Sequence, residues 1–595
     1  MYSEYEIRQL PLSIPRYRRM VETFLADNAL RLDEVDYYAG VFRLDDDQLL
    51  AGGGLAANVI KCIAVSSSLR DEGMSNRLVS HLISEANNRG YKSVKLFTKP
   101  ENRAVFESLS FRLLAEAPKA ILMETGTGGL DTYVAYLRSR ANRFEEYGQT
   151  LSHPYTGVVV MNANPFTRGH YYLLRQAAMQ VDTLFVIVVK EDRSLFSYAE
   201  RKAMIEAGTR DLQNVVVLEG SDYAISAATF PTYFLKQLSD ASDTQMTLDL
   251  DLFSRHIAPA LGATMRFVGS EPSDPLTARY NSLMRHQLYP KIEVVEIKRA
   301  QQDDAPITAT MLRQHLSQGS LHDAAALAVD TTVPYLVAHL ASQALQQELD
   351  TTPKPGLVDK DDSGAHRDMD YSLMSLSVKA IHPFFVQLAL LGFQDAMPQA
   401  NAIRAIGLAA EKAMLEATHG VNTHKGALFS MGLSIVAASH ALYALCKDNR
   451  PSLVSLTILQ QNIIRLASHF SAPSGTHGCL VVSRHDVQGA LASAQQGYPS
   501  LFDKWLPFFS QHIADPFVCH KTLLLIMSQI DDTNIIYRTD IDTAHQVKDE
   551  ALRLLDNFSL TALQELNQSF VSRNISPGGA ADMLSLTIFV HSMTH

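Results

Sequence analysis

The strongest constraint on the fold comes from residues 157–189, which follow the order strand, loop, helix and strand within about 30 residues. Apolar runs at 157–161 and 184–189 flank a run with apolar residues at helical spacing: Tyr172, Leu173, Leu174, Ala177, Ala178 and Val181. This pattern is typical of a βαβ unit in a parallel sheet. The intervening loop is therefore expected at the carboxyl end of a strand and the amino end of a helix.

This loop carries donors suited to an anionic ligand. Asn164-Pro165 interrupts regular structure, and Gly169 lets the backbone pass close to a ligand. The free N–H groups of the following helix favour phosphate, and Thr167 and His170 add donors without negative charge. The segment resembles the T/HxGH motif of the nucleotidyltransferase superfamily, which implies that Thr167 and His170 hold ATP phosphates. The alternative is an ordinary strand–helix turn with a half-buried histidine.

Length, charge and cysteine content limit the class of protein. A chain of 595 residues is too long for one hydrophobic core, so several domains are expected. With 52 basic against 63 acidic residues, the net charge of −11 argues against general nucleic-acid binding but permits local phosphate pockets. We find no signal peptide, no apolar run long enough to cross a bilayer, and four scattered cysteines without a CxxC pair. These features predict a cytoplasmic protein.

Residues 1–130 are predicted to form a small domain, with strands at 37–43, 49–55, 59–65 and 93–97 and a helix after residue 75. With the segment 102–111, the pattern resembles the GNAT acyltransferase fold. That resemblance implies a loop at 70–75 around the pyrophosphate of an acyl-CoA. However, Asp71 and Glu72 place negative charge there, Ser110 replaces a usual glycine, and no general base is evident. The domain is either a CoA-dependent catalyst or a docking domain for a pantetheine-like arm.

Residues 150–317 are predicted to form a Rossmann-like domain, because strands at 215–218, 265–268 and 292–297 alternate with helices. One of these helices begins with a capping-box pattern at 197–200. A ligand would bind at the carboxyl edge of the sheet, at the topological switch point. Residues 307–313 resemble the second superfamily motif, ISxTxxR, which implies that Thr310 and Arg313 contact ATP. An ordinary N-cap followed by a solvated arginine is the alternative.

With the stretches 268–281 and 292–297, these motifs resemble the citrate lyase ligase family over residues 1–330. The resemblance implies that ATP activates acetate to acetyl-AMP, and that the acetyl group then passes to the prosthetic-group thiol of the citrate lyase acyl carrier. Acetate attacks the α-phosphorus itself, so the protein only positions the anions and neutralises their charge. Mg²⁺ is expected to assist. The candidate ATP-binding residues are Asn164, Thr167, Gly169, His170, Thr310 and Arg313, with His170 also catalytic.

Beyond residue 330 the pattern becomes all-helical, with helices predicted at 332–348, 373–391, 402–416, 428–445, 453–469, 518–530, 543–557 and 580–593. The loop at 352–370 holds five aspartates, three basic residues and a histidine. Crowded carboxylates repel one another unless a cation lies among them or water screens them. The loop is therefore either a Mg²⁺–triphosphate site or a solvated acidic loop.

The segments TPKPGLVD, GAHRDM, NTHKGA, DTN and SPGGAAD, in this order, resemble the triphosphoribosyl-dephospho-CoA synthase family over residues 330–595. The resemblance implies that ATP and 3′-dephospho-CoA are joined with release of adenine. A ribose hydroxyl would attack C1′ of ATP, which requires a base and a neutralised triphosphate. Asp368 or His366 is the candidate base. The candidate nucleotide-binding residues are Lys354, Gly356, His424, Lys425, Gly426 and Gly578, and the candidate metal ligands are Asp359, Asp362 and Asp532.

The sequence thus predicts a multidomain α/β protein followed by an all-α domain, with domains at 1–130, 150–317 and 330–595. The predicted function is bifunctional maturation of citrate lyase, with ATP, acetate, dephospho-CoA and the acyl-carrier subunit as partners and neither nucleic acid nor membrane. One alternative is a pantetheine-phosphate adenylyltransferase fused to a helical carrier-binding scaffold. Others are a non-catalytic maturation scaffold and an equivalent enzyme of malonate decarboxylase.

Overall fold

The computed structural model describes residues 5–45, 47–66, 73–145, 155–190, 194–224, 230, 241–271, 274–302, 305–448, 453–471 and 487–594. The chain divides into a first unit, Met1–Asn164 with Gly169–Pro306, and a second unit, Pro165–Arg168 with Ile307–His595. Residues 70–72 of the predicted CoA loop, and 272–273 of the 268–281 stretch, lie outside the described residues.

The first unit begins with a seven-stranded sheet whose strand order is β1-β2-β3-β4-β5-β7-β6. Its strands are β1 Tyr5–Gln9, β2 Tyr37–Arg43, β3 Leu49–Ala56, β4 Val59–Val65, β5 Ser93–Thr98, β6 Arg112–Ala117 and β7 Ala120–Gly126. Its helices are α1 Pro15–Asp27, α2 Met74–Asn88, α3 Arg103–Ser108 and α4 Leu130–Glu145. Only the β4–β5 pair is parallel. This mixed sheet with flanking helices has the GNAT-like arrangement predicted, and the four predicted strands are confirmed.

A second sheet in the same unit is parallel throughout, in the order β10-β9-β8-β11-β12. Its strands are β8 Thr156–Met161, β9 Thr183–Val188, β10 Val215–Leu218, β11 Met265–Gly269 and β12 Glu293–Ile297. The helices are α5 Arg168–Ala178, α6 Tyr198–Gly208, α7 Ala241–Leu252, α8 Ala258–Leu261 and α9 Pro275–Leu288, and a hairpin of β13 Gln301–Gln302 and β14 Ala305–Pro306 follows. Since β8 has β9 on one side and β11 on the other, its carboxyl end is the topological switch point. The Rossmann-like prediction is confirmed.

The second unit is helical, as predicted. Its helices are α10 Ala309–Ser317, α11 Leu321–Leu327, α12 Val333–Asp350, α13 Tyr371–Gly392, α14 Ala400–Ala417, α15 Lys425–Lys447, α16 Leu456–Ala467, α17 Ala490–Gln495, α18 Leu506–Gln511, α19 Val518–Met527, α20 Thr533–Arg538, α21 Ile541–Asp556, α22 Leu560–Ser572 and α23 Gly578–Thr594. The short helices α11, α17, α18 and α20 were not predicted, and neither was the longer helix α22. It buries only Leu563, Asn567 and Phe570, so its apolar stripe is sparse.

Two described helices, α13 and α15, are long and apolar enough by length and composition to cross a bilayer, contrary to the expectation that no run reaches that length. In the most apolar 18-residue stretch of α15, 72% of the residues are buried, as in the core helix of a folded domain. In the corresponding stretch of α13, 39% are buried. Helix α13 packs on α12, α14 and α15, and α15 contributes buried residues such as Met431, Ile435 and Val436.

Candidate active sites

The first loop predicted to bind phosphate follows β8, and a buried arginine from α6 contacts its first residue. Arg201 is fully buried and donates to Asn162 O at 2.8 Å, to Asn162 Oδ1 at 2.7 Å and to Val189 O at 2.9 Å. It also donates to Phe196 O at 3.2 Å. The guanidinium thus joins the carboxyl ends of β8 and β9 to the segment before α6. The capping box predicted at the start of α6 is present.

The remaining first-unit residues of this motif are Asn164, Gly169 and His170. Asn164 Oδ1 accepts a hydrogen bond from the Phe196 N–H at 3.1 Å, so the loop is also tied to the chain after β9. Ala163 adopts a positive φ of 47°, a conformation that turns the chain sharply after the strand. Gly169 and His170 are half-buried in the first turn of α5. Backbone N–H groups at this helix start are suitable for phosphate.

Other predicted ligase residues belong to the second unit. Thr167 is buried, and Thr332 donates from its hydroxyl to Phe166 O at 3.0 Å. Helix α10 is capped by Thr308, whose hydroxyl accepts from the Met311 N–H at 3.1 Å. Arg313 donates to the exposed Thr310 hydroxyl at 3.0 Å, and partial burial lowers the pKa of its guanidinium. These two side chains therefore form one donor group on the first turns of α10.

In the acidic loop at 352–370, backbone N–H groups donate hydrogen bonds to carboxylates and so offset part of their mutual repulsion. The buried Asp359 carboxylate accepts from the N–H of Lys354 at 2.8 Å, of Asp361 at 2.8 Å and of Asp362 at 3.2 Å. Burial raises the pKa of Asp359, while these backbone donors oppose that shift. Asp370 caps α13. Asp359 therefore organises the loop, and a carboxylate has further lone pairs for a ligand.

The same loop is closed by a glycine and an amide from α22. Gly356 has φ of 69°, and a Cβ there would lie 2.1 Å from Ile575 O, so no larger residue fits. Its N–H donates to Asn567 Oδ1 at 2.9 Å. The Asn567 amide donates in turn to Asp362 Oδ2 at 2.9 Å. Gly356 thus shapes the predicted nucleotide loop through its backbone.

Lys354 lies inside the helical unit rather than at its surface. Its ammonium group is 1% exposed and contacts Glu348 Oε1 of α12 at 2.5 Å. Burial raises the pKa of Glu348, and the Lys354 charge acts in the opposite direction. A buried ion pair of this kind is costly to break, because either charge alone would remain unpaired.

Two further buried carboxylates, those of Asp532 and Asp582, interact electrostatically with Glu348 or with each other. We call these three side chains the carboxylate cluster. Asp532 caps α20, and its carboxylate also accepts from the Ala580 N–H at 3.1 Å; burial raises its pKa to about 6. Burial raises the pKa of Asp582 well above its usual range, and the charges of Asp532 and Glu348 add to the shift. Carboxylates with this preference for protons bind a cation favourably.

Helices α15 and α23 approach each other closely beside Asp582. A Cβ at Gly426 would lie 2.0 Å from Asp582 Oδ2, so the carboxylate occupies the space of a side chain. A Cβ at Gly578, the first residue of α23, would lie 2.7 Å from Asn534 Nδ2. Lys425, in contrast, is exposed and contacts Glu411 Oε1 at 2.5 Å. Both predicted glycines therefore permit close contact between the starts of helices.

His424, the residue before α15, is 4% exposed. Its Nδ1 lies 2.7 Å from Ser377 Oγ of α13, and within the described chain its Nε2 has no hydrogen-bond partner. Burial lowers its pKa to about 4, and the positive charge of Lys354 adds to the effect. The imidazole is therefore neutral near pH 7.

The two candidate bases lie together at the other end of the acidic loop. His366 Nε2 lies 2.8 Å from Ser576 Oγ, and Arg538 Nη1 lies 3.4 Å from its Nδ1. Burial lowers the pKa of His366, the Arg538 charge lowers it further, and the charge of Asp368 opposes the shift. Asp368 is exposed. A neutral His366 is in the protonation state that a general base requires.

The described residues contain no group of three or more His, Cys, Asp or Glu side chains that could hold a metal ion by themselves. Mg²⁺ bound with a triphosphate needs only one or two protein carboxylates, because phosphates and water supply the other ligands. Asp532 fits such a role, since its carboxylate is buried with a raised pKa.

Sequence reasoning missed four residues that shape these sites: Arg201, Glu348, Ser377 and Asp582. Asp582 ends the quoted SPGGAAD segment, and Glu348 ends a predicted apolar helix, where an acidic residue is a usable signal. Arg201 and Ser377 have no such signal, because their partners lie 39 and 47 residues away in the chain.

Comparison with known proteins follows the same division. The family model for the citrate lyase ligase C-terminal domain matches residues 156–336, and that for ATP:dephospho-CoA triphosphoribosyl transferase matches residues 334–595. The [citrate [pro-3S]-lyase] ligase of Haemophilus influenzae is 40% identical over 327 residues, covering 53% of this chain and 94% of that protein. The Escherichia coli ligase is 40% identical over 324 residues, covering 53% and 89%.

The second half has relatives of its own. The 2-(5''-triphosphoribosyl)-3'-dephosphocoenzyme-A synthase of Pectobacterium atrosepticum is 38% identical over 261 residues, covering 42% of this chain and 85% of that protein. Among solved structures, pantoate-beta-alanine ligase from Francisella tularensis is 9% identical and covers 32% of this chain and 74% of that chain, with a TM-score of 0.21. A TM-score this low does not establish a shared fold, so the fold assignment depends on the strand order described above. The chain therefore belongs to the citrate lyase ligase family through its first half and to the triphosphoribosyl-dephospho-CoA synthase family through its second.

Proposed function

We propose that this protein is a bifunctional enzyme of citrate lyase maturation, with a ligase and a synthase in one chain. The observation that carries the proposal is its membership of both families over adjoining stretches, residues 156–336 and 334–595. The synthase would make 2′-(5″-triphosphoribosyl)-3′-dephospho-CoA from ATP and dephospho-CoA and release adenine. The ligase would acetylate the finished prosthetic group through acetyl-AMP, releasing AMP and pyrophosphate.

In the ligase, acetate is the nucleophile, so the protein contributes donors and position. The first turn of α5 would hold phosphate oxygens with its N–H groups, Thr167 and His170 would add side-chain donors, and Asn164 and Gly169 would shape the loop. Thr310 and Arg313 are the other proposed ATP-binding residues, and their mutual hydrogen bond at 3.0 Å supports a joint role of these two side chains. His170 is the proposed catalytic donor during attack on the α-phosphorus.

In the synthase, the ribose hydroxyl of dephospho-CoA would attack C1′ of ATP while adenine departs. His366 or Asp368 would accept the hydroxyl proton, and the lowered pKa of His366 supports the histidine. Lys354, Gly356, His424, Lys425, Gly426 and Gly578 are the proposed nucleotide-binding residues. Lys354 would act on the polyphosphate from within its ion pair with Glu348.

Mg²⁺ is proposed as the cation for both triphosphate-binding sites. In the synthase, Asp359, Asp362 and Asp532 are the proposed protein ligands, and the buried Asp532 carboxylate provides the strongest support. The cation would neutralise the negative charge of the triphosphate. The ribose oxygen of dephospho-CoA would then approach C1′ of ATP with less electrostatic repulsion.

We further propose three domains at 1–130, 150–317 and 330–595, a cytoplasmic location and the citrate lyase acyl-carrier subunit as partner. The GNAT-like domain would serve that partner either as a catalyst or as a docking surface for its pantetheine-like arm. Binding of loaded and unloaded carrier protein to a variant lacking residues 1–130, compared with the full chain, would separate the two roles.

The function is tested with the full chain, Mg²⁺ and two product assays. Adenine release from ATP should require dephospho-CoA, and pyrophosphate release should require acetate. Arg313→Ala should abolish most acetate-dependent pyrophosphate release and spare adenine release, because Arg313 serves only the ligase. His366→Ala should have the reverse effect. Absence of both products from the wild type would contradict the proposal.

Two outcomes would redirect it. Pyrophosphate release with phosphopantetheine but not with acetate would indicate an adenylyltransferase fused to a helical scaffold. Acetylation of a malonate decarboxylase carrier in preference to a citrate lyase carrier would reassign the pathway while retaining both reactions.

A further inference from the structure

The buried histidine at the start of α15 takes part in a chain of side-chain hydrogen bonds that fixes its proton. Thr423 donates from Oγ1 to Ser377 Oγ at 2.7 Å, and Ser377 Oγ lies 2.7 Å from His424 Nδ1. Thr423 Oγ1 also lies 3.3 Å from the same Nδ1. A hydroxyl has one proton to donate. Since Ser377 accepts from Thr423, its own proton is available for Nδ1.

If Nδ1 accepts, a neutral imidazole carries its proton on Nε2. Burial and the positive charge of Lys354 keep the ring neutral, with a pKa of about 4. His424 Nε2 is buried and has no hydrogen-bond partner in the part of the chain that the structure describes. A buried donor of this kind is costly unless a ligand satisfies it.

We propose that Ser377 is a positioning residue that holds His424 as the Nε2–H tautomer, so that the Nε2–H donates to a phosphate oxygen of ATP. The proposal rests on the synthase function proposed above and adds the tautomer, the charge and the residue that sets them. A neutral donor suits this site, because Lys354 already supplies one buried positive charge beside Glu348. The start of α15, a helix of 23 residues, adds its dipole in the same direction.

The tautomer is measured directly by long-range proton–nitrogen NMR of the full chain labelled with ¹⁵N-histidine, with His424→Gln used to assign the signal. We expect a pyrrole-type Nε2 and a pyridine-type Nδ1 for His424 near pH 7. Ser377→Ala should convert part of the population to the other tautomer. A pyridine-type Nε2 in the wild type would overturn the proposal, whether or not the protein releases adenine.

Ligand binding supplies the second test, by calorimetry with ATP, with tripolyphosphate and with adenosine. Ser377→Ala should weaken ATP and tripolyphosphate binding about tenfold, the value of one hydrogen bond, and leave adenosine unchanged. His424→Gln, whose amide nitrogen replaces Nε2, should bind within about threefold of wild type, while His424→Asn should lose about tenfold. Loss of adenosine affinity with unchanged tripolyphosphate affinity would overturn the phosphate assignment.

Two variants separate positioning from general damage. Ser434→Ala removes a buried serine of α15, whose hydroxyl bonds only to Ser430 O at 2.9 Å in the described structure, and should leave ATP affinity unchanged. Thr423→Val keeps the shape of Thr423 but removes the donor to Ser377, and should weaken ATP binding by about threefold. Equal losses in Ser434→Ala and Ser377→Ala would refute a specific role for Ser377.

Discussion

The two units stabilise buried charge in opposite ways. Among the described residues of the α/β unit, three cations are buried: Lys95, Arg201 and Arg266. Arg201 is surrounded by neutral oxygens at 2.7–3.2 Å, most of them backbone carbonyls. In the helical unit buried anions predominate, and they accept from backbone N–H groups near the starts of helices or pair with Lys354. Carbonyl groups at strand ends thus favour a buried cation, and N–H groups at helix starts favour a buried anion.

This contrast follows from the backbone. The carboxyl ends of parallel strands present unpaired carbonyl groups, which attract a guanidinium, whereas the first turn of a helix presents free N–H groups, which attract carboxylates or phosphates. In the loop after β8, Arg201 occupies carbonyl groups, and the start of α5 is the proposed place for the nucleotide. In the synthase, Asp582 and Asp532 already occupy N–H groups at helix starts. We therefore expect a cation to matter more for nucleotide binding at the proposed synthase site than at the proposed ligase site.

The largest expected effect tests the anionic side of this comparison. Lys354→Met leaves Glu348 buried without its cation and should reduce the free energy of unfolding of the helical unit by about 3–5 kcal/mol. Denaturant titration followed by fluorescence measures this, since Trp505 is the chain's single tryptophan and is buried in that unit. The double variant Lys354→Met/Glu348→Leu should recover most of the stability but not adenine release. Equal stabilities of the single and double variants would contradict the ion-pair argument.

Arg201→Met tests the cationic side. It removes the guanidinium that donates to the carbonyl oxygens of Asn162 and Val189, after β8 and β9, and should destabilise this region by about 3–4 kcal/mol. Hydrogen exchange should accelerate in peptides from both strands, and acetate-dependent pyrophosphate release should fall while adenine release persists. Arg210→Met removes an exposed arginine just beyond α6 and should match wild type within about 0.5 kcal/mol.

A third effect depends on pH. His424 has a folded pKa of about 4 against 6.5 in the unfolded chain, so its contribution to stability is complete above pH 6.5 and lost as the pH falls to about 4. Relative to His424→Gln, wild type should lose about 3 kcal/mol over this interval. Asp532 acts in the opposite direction, because its raised pKa favours the folded state at low pH, and the comparison cancels its effect. A constant difference between the two proteins would show that His424 titrates normally.

The smallest expected effects compare helix caps. Ser197→Ala in the α/β unit and Asp370→Ala in the helical unit each remove a side-chain acceptor at a helix start, and each should cost about 1 kcal/mol. Hydrogen exchange of the first turns of α6 and α13 measures the change locally. A much larger loss for Asp370→Ala would indicate that it also stabilises the acidic loop.

Much of this architecture could be predicted because its signals are local. The break at Asn164-Pro165 between an apolar run and an amphipathic run predicts a loop at a strand end, and the parallel sheet confirms that location. The loss of period-two alternation beyond residue 330 predicts the helical unit. The predicted roles of individual site residues stay predictions.

The remaining features depend on contacts between distant residues, which a single sequence does not reveal. The crowded aspartates of the acidic loop suggested a cation or water, yet Asp359 is largely satisfied by nearby N–H groups. Its burial could not be inferred from composition. The Ser377–His424 contact joins two helices, so neither residue alone predicts the tautomer.

The close approach at Gly426 has a consequence for genetics. A methyl group at this position would overlap the Asp582 carboxylate, since a Cβ would lie 2.0 Å from its oxygen. Gly426→Ala is therefore the smallest lesion expected to inactivate the synthase alone. A cell carrying that allele would still acetylate a finished carrier but would depend on an outside supply of the prosthetic-group precursor.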